Sequence, residues 1–198
     1  MTRTVGLLSL QRMPSDEDLL EVLETLRTYG AVGETSLPHA IRHAEAFLAA
    51  IPAHCEQLID LGSGGGLPAL VIACRLPLVT FVLTDRRERR TDLLRRACLR
   101  LDIADRVTVL TGDVMRLCQQ QDLGRRFDVV TARSFGPPLW TLMCAAPFLT
   151  ESGVAIVSEP PDDQGADRWP EADLLELNFS ASAEHFQYVK RLNFTLRA

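Results

Sequence analysis

Apolar residues recur at helical spacing in the first 54 residues of the chain. Ser15 and Asp18 have the spacing of a capping box, and apolar positions follow at Leu19, Val22, Leu23 and Leu26. This pattern predicts an amphipathic helix that ends near Gly30. A second helix is predicted to begin near Pro38, with an apolar face of Ile41, Ala44, Leu48 and Ile51 and a polar face that carries Arg42 and His43. We expect residues 1–54 to form a helical extension packed on the main domain.

From residue 55 to 198, short apolar runs alternate with helical patterns, which is typical of a mostly parallel sheet covered by helices. The predicted strands are Gln57–Leu61, Thr80–Thr84, Val107–Thr111, Phe127–Ala132 and Gly153–Ser158. The predicted helices are Pro68–Arg75, Glu88–Leu101, part of Val114–Gln121, and Leu139–Leu149. The tail from Leu174 to Arg197 alternates apolar and polar residues and predicts an antiparallel hairpin that closes the sheet. The acidic stretch from Glu159 to Glu171 is expected to be a loop or a weak helix.

The composition is that of one globular domain, because 198 residues with 46% apolar content can bury a sizeable core. No run of about 18 apolar residues and no leader-like N-terminus is present, so we expect a cytoplasmic protein. The five cysteines are odd in number and lack a Cys-x-x-Cys spacing, which favours buried thiols over a disulfide or a metal site.

The charges are unevenly placed along a chain whose net charge is −5. Twelve arginines and seven acids lie between Arg86 and Arg133, whereas one arginine and nine acids lie between Glu151 and Glu184. Lys190 is the only lysine, and the planar fork of arginine suits contacts with phosphate. This distribution predicts an arginine-rich face that could contact RNA, on a protein that we expect to be monomeric.

A glycine-rich turn follows the first predicted strand, with Asp60 two residues before glycines at positions 62, 64 and 66. Glycines allow positive φ angles and let a ligand approach backbone N–H groups, and Pro68 favours the start of a helix directly afterwards. The pattern Asp-x-Gly-x-Gly-x-Gly resembles motif I of class I S-adenosylmethionine-dependent methyltransferases. The resemblance implies a Rossmann-like α/β fold and S-adenosylmethionine as cofactor.

Charged residues lie at or just after the carboxyl ends of four predicted strands, where open α/β sheets bind their ligands. Asp85 can accept hydrogen bonds from both hydroxyls of a ribose, and Asp113 is placed to meet the adenine amino group. Asp60 can bond the amino group of the cofactor or fix the glycine loop. Purely structural roles stay open for these charged residues. Asp85 and Asp113 could cap the following helices, and Arg133 could pair with a nearby acid.

Three segments are similar to the RsmG (GidB) family of 16S ribosomal RNA guanine-N7 methyltransferases. They are Gly62-Ser63-Gly64-Gly65-Gly66-Leu67-Pro68, then Leu83-Thr84-Asp85 with its helix, and Phe127-Asp128-Val129-Val130-Thr131-Ala132-Arg133-Ser134-Phe135. The resemblance covers roughly residues 38 to 160 and implies cofactor contacts at Gly62, Leu67, Asp113 with Val114, and Arg133. The full set of candidate cofactor residues is Asp60, Gly62, Ser63, Gly64, Gly66, Leu67, Asp85, Arg86, Asp113, Val114 and Arg133.

The implied reaction needs alignment of donor and acceptor more than acid-base chemistry, because guanine N7 already has a free lone pair. Arg133 is therefore the candidate catalytic residue as a positioning group, since an arginine cannot act as a base. Ribosomal RNA or the small ribosomal subunit is the expected partner. Where the family has Lys-Gly after its fifth strand, this chain has Ser158-Glu159, which favours an alternative small-molecule or protein acceptor.

Two further alternatives stay open at this point. The first is a module that binds the cofactor without catalysis. The second is a nucleotide-linked oxidoreductase, since residues 64–69 match a loose Gly-x-Gly-x-x-Ala pattern, although the chain has no Tyr-x-x-x-Lys pair.

Overall fold

The computed structural model describes residues 13–33, 36–120, 122–160 and 168–196. The start of the predicted N-terminal extension, much of the predicted acidic loop and the last residues of the predicted hairpin lie outside the described residues. The described helices are α1 (Asp16–Thr28), α2 (Leu37–Ala50), α3 (Ala69–Arg75), α4 (Glu88–Arg100), α5 (Val114–Leu117), α6 (Pro138–Ala145) and α7 (Glu171–Glu176). The described strands are β1 (Gln57–Leu61), β2 (Thr80–Asp85), β3 (Val107–Thr111), β4 (Phe127–Ala132), β5 (Leu149–Ser158), β6 (Phe179–Ala181) and β7 (Val189–Phe194).

All seven described strands form a single sheet in the order β3-β2-β1-β4-β5-β7-β6. Strands β1 to β5 are parallel to one another, whereas β7 is antiparallel to β5 and β6 is antiparallel to β7. The predicted fold class, a seven-stranded mostly parallel sheet with a C-terminal antiparallel hairpin, is therefore confirmed. The strand order reverses between β1 and β4, and such a reversal opens a crevice at the carboxyl ends of the strands.

Helices cover both faces of the sheet because neighbouring strand residues point to opposite sides. On β1, Leu58 belongs to a core shared with α1 to α4, whereas Ile59 and Leu61 belong to a core shared with α5, α6 and α7. Such burial on both faces explains why the central strands are nearly continuous apolar runs.

The two N-terminal helices pack on the same core as the sheet. Ser15 and Asp18 form the predicted capping box, and the four predicted apolar residues of α1 are buried. The predicted apolar face of α2 packs against the core, but Ile41, Leu48 and Ile51 are only partly buried there. Its buried residues are Leu37, Ala40, Ala44, Phe47 and Ala50. Small alanines allow α2 to lie close to α3 and β7, and this packing selects the face.

Two other boundaries differ from the prediction. Strand β5 begins at Leu149 rather than Gly153, because Leu149 pairs with Phe127 ahead of an irregularity in the β4–β5 register. The helix α7 occupies part of the tail that was predicted to be strand, and it buries only Leu174. The cysteines are free, with four of them buried. Among the described residues, no helix combines the length and apolar character of a membrane span, and no cluster of side chains is suited to hold a metal ion.

Candidate functional site

The glycine loop after β1 is a tight turn in which Gly62, Gly64 and Gly66 all have positive φ, at 69°, 55° and 84°. Residues other than glycine are strained at positive φ, because their Cβ atoms clash with the backbone. Ser63 anchors the loop from below, because its backbone N–H donates to the Thr84 carbonyl at 2.7 Å and its hydroxyl lies 3.2 Å from the Asp60 carbonyl. The loop is therefore held against β2, with Gly62 and Gly64 partly exposed and Gly66 buried.

Asp60 lies directly beneath this loop with only 1% of its surface exposed. Its Oδ1 accepts a hydrogen bond from the Thr131 hydroxyl at 2.5 Å. Burial raises the pKa of Asp60 to about 6, and the bonds to Thr131 and Ser63 and the charge of Arg133 only partly offset that rise. Asp60 is thus a buried hydrogen-bond acceptor that links β1 to β4, and its ionisable carboxyl group lies under the glycine loop.

Asp85 joins the ends of β1 and β2. Its Oδ2 accepts the Gly64 backbone N–H at 3.0 Å, and its Oδ1 accepts the Arg87 backbone N–H at 2.8 Å. Arg90 adds an ion pair at 3.6 Å, so the carboxylate is oriented from three sides. Each carboxylate oxygen can accept more than one hydrogen bond, so these contacts leave acceptor capacity for a ligand.

A cavity of about 390 Å³ opens beside this carboxylate, and we name it the Asp85 cavity. It is lined by Gly62, Asp85, Arg86, Arg87, Arg90, Gly112, Asp113, Val114, Met115, Ser134, Phe135 and Trp140. Its volume lies in the range of small-molecule sites. Asp113 also caps α5, since its Oδ1 accepts the Met115 backbone N–H at 3.0 Å. This is the capping role that the sequence left open for Asp113.

A second cavity of about 400 Å³, which we name the His43 cavity, adjoins the first. It is lined by His39, Ala40, His43, Arg133, Ser134, Phe135, Gly136, Val157, Ser158, Glu159, Pro160 and Arg168. Arg133 forms no ion pair with another described residue, and burial lowers its pKa while the charge of Asp60 opposes that shift. The guanidinium therefore remains available to a ligand on this side of the site.

His43 forms the α2 wall of the second cavity. Its ring stacks on Tyr188 with 5.7 Å between ring centroids, and its Nδ1 is buried without a hydrogen-bond partner among the described residues. Burial lowers the pKa of His43, and the charges of Arg133 and His39 lower it further. The neutral imidazole is favoured, which places an uncharged polar ring beside a charged guanidinium.

Phe135 is shared by the two cavities and separates them. Its Cδ2 atom would lie 2.8 Å from a Cβ added to Gly62, so the ring rests directly on the glycine backbone. Ser134 precedes it with a positive φ of 51°, and its backbone N–H donates to the Ser158 hydroxyl at 3.2 Å. These contacts fix an aromatic ring between the two cavities.

The structure brings only part of the predicted set together around the Asp85 cavity. Gly62, Asp85, Arg86, Asp113 and Val114 line it, and Arg133 lines the His43 cavity instead. Asp60, Ser63, Gly64, Gly66 and Leu67 lie under or within the loop, and the Leu67 side chain is buried in the core.

Several lining residues were absent from the predicted set. Arg87, Arg90, Gly112, Met115, Ser134, Phe135 and Trp140 line the Asp85 cavity, and His39, Ser158 and Arg168 line the His43 cavity. Some of these residues could have been found from their position after a predicted strand, since Gly112 follows β3 and Ser134 and Phe135 follow β4. Trp140 and Arg168 carry no such signal, because they reach the site from α6 and from the chain before α7.

Arg86, Arg87 and Arg90 line the Asp85 cavity, and further arginines follow along α4. Arg86, Arg87, Arg89 and Arg96 are exposed and form no ion pair with another described residue. Arg90, Arg95 and Arg100 are paired with Asp85, Asp92 and Glu21. The four unpaired arginines define what we call the arginine face.

Comparison with known proteins places residues 37–159 within the family model of rRNA small subunit methyltransferase G. A protein named ribosomal RNA small subunit methyltransferase G from Rhizorhabdus wittichii is 42% identical over 79 residues, which is 40% of this chain and 34% of that protein. Proteins of the same name from Synechococcus sp. WH7803 and Laribacter hongkongensis are 31% and 29% identical over 62% of this chain. The matches span 46% and 58% of those two proteins, so the chain spans about half the length of these relatives.

Two solved structures that share the fold are named O-methyltransferases. An O-methyltransferase from Bacillus cereus in complex with SAH superposes with a TM-score of 0.68 at 17% identity, covering 92% of this chain and 93% of that one. A SAM-dependent O-methyltransferase from Thermotoga maritima superposes with a TM-score of 0.60 at 15% identity, covering 89% of this chain and 72% of that one. At this level of identity the likeness establishes the fold alone.

Proposed function

The chain belongs to the family of rRNA small subunit methyltransferase G, and from this premise we propose that it transfers a methyl group from S-adenosylmethionine to N7 of a guanine in 16S ribosomal RNA. The observation that carries the proposal is the pair of adjoining cavities at the carboxyl ends of β1, β2, β4 and β5. One is walled by the glycine loop and Asp85, and the other by Arg133 and His43.

The residues of the Asp85 cavity fit an adenosine-bearing cofactor. A carboxylate with spare acceptor capacity faces the cavity, as two neighbouring ribose hydroxyls require. Val114, Met115, Phe135 and Trp140 supply an apolar wall of the kind that an adenine ring packs against. Gly62 and Gly64 add no side chain to the loop, and their positive φ angles explain why glycines occur here.

S-adenosylmethionine, when bound, supplies a methyl group on a positively charged sulfur that is open to in-line attack. The protein's own task is to orient the two reactants and exclude water. Phe135 covers Gly62 at the junction of the two cavities and can fill space around the reacting centre. Arg133 is proposed to hold the acceptor or the charged end of the cofactor, because it faces the second cavity without an ion pair to a described residue.

The proposed RNA partner is supported by the arginine face beside the Asp85 cavity. Its four exposed guanidinium groups can contact phosphates without first breaking an internal ion pair. A ribosomal RNA substrate implies that the reaction takes place in the cytoplasm. We propose that one copy of the protein acts alone, without a bound metal ion.

A methyl-transfer assay with labelled S-adenosylmethionine tests this function. Naked ribosomal RNA, assembled small ribosomal subunits and a metabolite extract serve as parallel acceptors, and mass spectrometry identifies the methylated nucleoside. We expect 7-methylguanosine in one of the RNA samples. Transfer only to the metabolite extract would favour the second candidate described next.

The second candidate is a methyltransferase of the same fold that acts on a small molecule or a protein. The observation that favours it is Glu159, an acid that lines the His43 cavity next to the end of β5. A carboxylate in this place repels a phosphate backbone. This candidate predicts that deletion of the protein leaves every 7-methylguanosine of the ribosomal RNA in place.

A further inference from the structure

Glu159 is held in one orientation at the edge of the His43 cavity. Its backbone N–H donates to the Tyr188 carbonyl at 2.8 Å, which continues the pairing of β5 with β7. The Trp169 indole N–H donates to Oε1 at 2.7 Å, and Arg168 Nη1 approaches Oε2 at 3.4 Å. One donor on each oxygen leaves a second acceptor position on each, so the carboxylate presents two parallel acceptors.

The distance between Gly62 and Glu159 limits the size of a ligand that can contact both residues. Gly62 follows β1 and Glu159 follows β5, and β4 lies between these two strands in the sheet. Two strand spacings amount to about 10 Å. A nucleobase that lies over the end of β4 can span this distance, and the cavity volume of about 400 Å³ agrees with a ligand of that class.

Guanine has the hydrogen-bonding pattern that a paired carboxylate acceptor recognises. Its N1–H and its N2 amino group are neighbouring donors on the Watson–Crick edge, whereas N7 and O6 are acceptors on the other side of the ring. If N7 is directed toward Gly62, the donor edge is directed away from β1. A carboxylate that accepts both donors forms a bidentate, charge-assisted contact, which adenine cannot make because its N1 is an acceptor.

We propose that Glu159 reads the Watson–Crick edge of the acceptor guanine in the His43 cavity while N7 lies toward the Asp85 cavity. The inference rests on the proposed function and adds to it the residue that selects the base. It also reconciles the acid with an RNA substrate, because the carboxylate contacts an unpaired base inside the cavity while the phosphates remain near the arginine face. His43 and Phe135 form the other walls of the same cavity.

The test is calorimetric titration of the full chain, saturated with S-adenosylhomocysteine, with the 5′-monophosphates of guanosine, inosine and adenosine. Inosine lacks only the N2 amino group, so we expect the guanosine nucleotide to bind about tenfold more tightly than the inosine nucleotide. The adenosine nucleotide should bind most weakly. Glu159→Ala removes both acceptor oxygens and should abolish the preference for guanosine over inosine, while the affinity for S-adenosylhomocysteine stays unchanged.

Glu151→Gln is the control, because Glu151 is an exposed acid on β5, and the substitution should leave both affinities unaltered. Equal binding of the guanosine and inosine nucleotides to the wild-type protein would overturn the inference, as would a preference that survives in Glu159→Ala. Absence of guanosine nucleotide binding to the loaded protein would also overturn it. If S-adenosylhomocysteine itself fails to bind, the proposed function fails as well, so the two failures can be distinguished.

Discussion

The backbone N–H of Gly64 donates a hydrogen bond of 3.0 Å to Oδ2 of Asp85, which joins the glycine loop after β1 to the end of β2. Two residues that are 21 positions apart in the chain thereby form one wall of a cavity. The bond orients a nearly buried carboxylate toward the space in which an adenosine ribose is proposed to lie.

Replacing Asp85 with asparagine keeps the size of the side chain and removes its charge. We expect Asp85→Asn to bind S-adenosylhomocysteine at least about tenfold more weakly, because hydrogen bonds to charged groups contribute roughly 1.5–3 kcal/mol. Calorimetric titration measures the change. Asp122→Asn is the control, since Asp122 is an exposed carboxylate before β4 and should bind the ligand normally. Equal affinities in the two variants would show that Asp85 does not hold the ribose.

Gly62→Ala should reduce both the free energy of unfolding and the affinity for S-adenosylhomocysteine. The new alanine has a backbone φ of 69°, and its Cβ lies 2.8 Å from the Phe135 ring. Gly30 has the same φ of 69° but no atom within 4 Å of an added Cβ, so Gly30→Ala isolates the backbone strain, which costs about 1–2 kcal/mol. Urea unfolding of both variants is the measurement. We expect Gly62→Ala to lose at least about 1 kcal/mol more, and an equal loss would contradict the contact with Phe135.

Asp60 should make the stability of the unliganded protein depend on pH. Burial raises its pKa from 3.8 to about 6, so the folded state holds more protons than the unfolded state between these values. The free energy of unfolding therefore falls as the pH rises through this window and stays lower above it, by up to about 3 kcal/mol. Asp60→Asn should remove this decline. Urea unfolding of both proteins at pH 4.5 and pH 7.5 tests this prediction. If the free energies of unfolding of variant and wild type differ by the same amount at both pH values, the prediction is refuted.

Trp140 should report binding in the Asp85 cavity. It lines that cavity with 46% of its surface exposed, whereas Trp169, the other tryptophan, contacts Glu159. Bound ligand should shield Trp140 from water and shift its fluorescence emission to shorter wavelength. We expect the shift with S-adenosylhomocysteine in wild type and Trp169→Phe, and its loss in Trp140→Phe. A shift that persists without Trp140 would place the ligand elsewhere.

The arginine face should contribute to RNA affinity through phosphate contacts. Arg89→Gln and Arg96→Gln should each weaken binding to ribosomal RNA and lower the slope of log affinity against log salt by about 1. Arg125→Gln is the control, because Arg125 is an exposed arginine just before β4, at the opposite end of the strand from the cavities. Filter binding over a series of salt concentrations provides the slopes. Identical slopes for all three variants would show that RNA binds another surface.

The central strands and the strand-end acids could be predicted from the sequence because their signals are local. Each strand from β1 to β4 is a short, mainly apolar run, with an acid or an arginine in its last two residues or within two residues after its end. The buried face of α2 could not be predicted in the same way. That helix is apolar over most of its circumference, so two overlapping faces satisfy the helical period, and contact with α3 and β7 decides between them.

The remainder of the site depends on contacts between distant parts of the chain. Glu159 reaches the His43 cavity only because β5 lies next to β4 in the sheet, and Trp169 reaches Glu159 from the segment before α7. The helix α7 itself is only six residues long, which is too short for a helical period to be recognised. Such contacts follow from strand order and packing, which the local pattern of residues does not encode.

The central claim is that the Asp85 cavity binds an S-adenosyl cofactor, and calorimetric titration of the purified wild-type chain tests it most directly. We predict one molecule of S-adenosylhomocysteine bound per chain and no binding of NAD under the same conditions. A folded protein that binds NAD, or that gives no binding heat with S-adenosylhomocysteine at any concentration tested, would contradict the account.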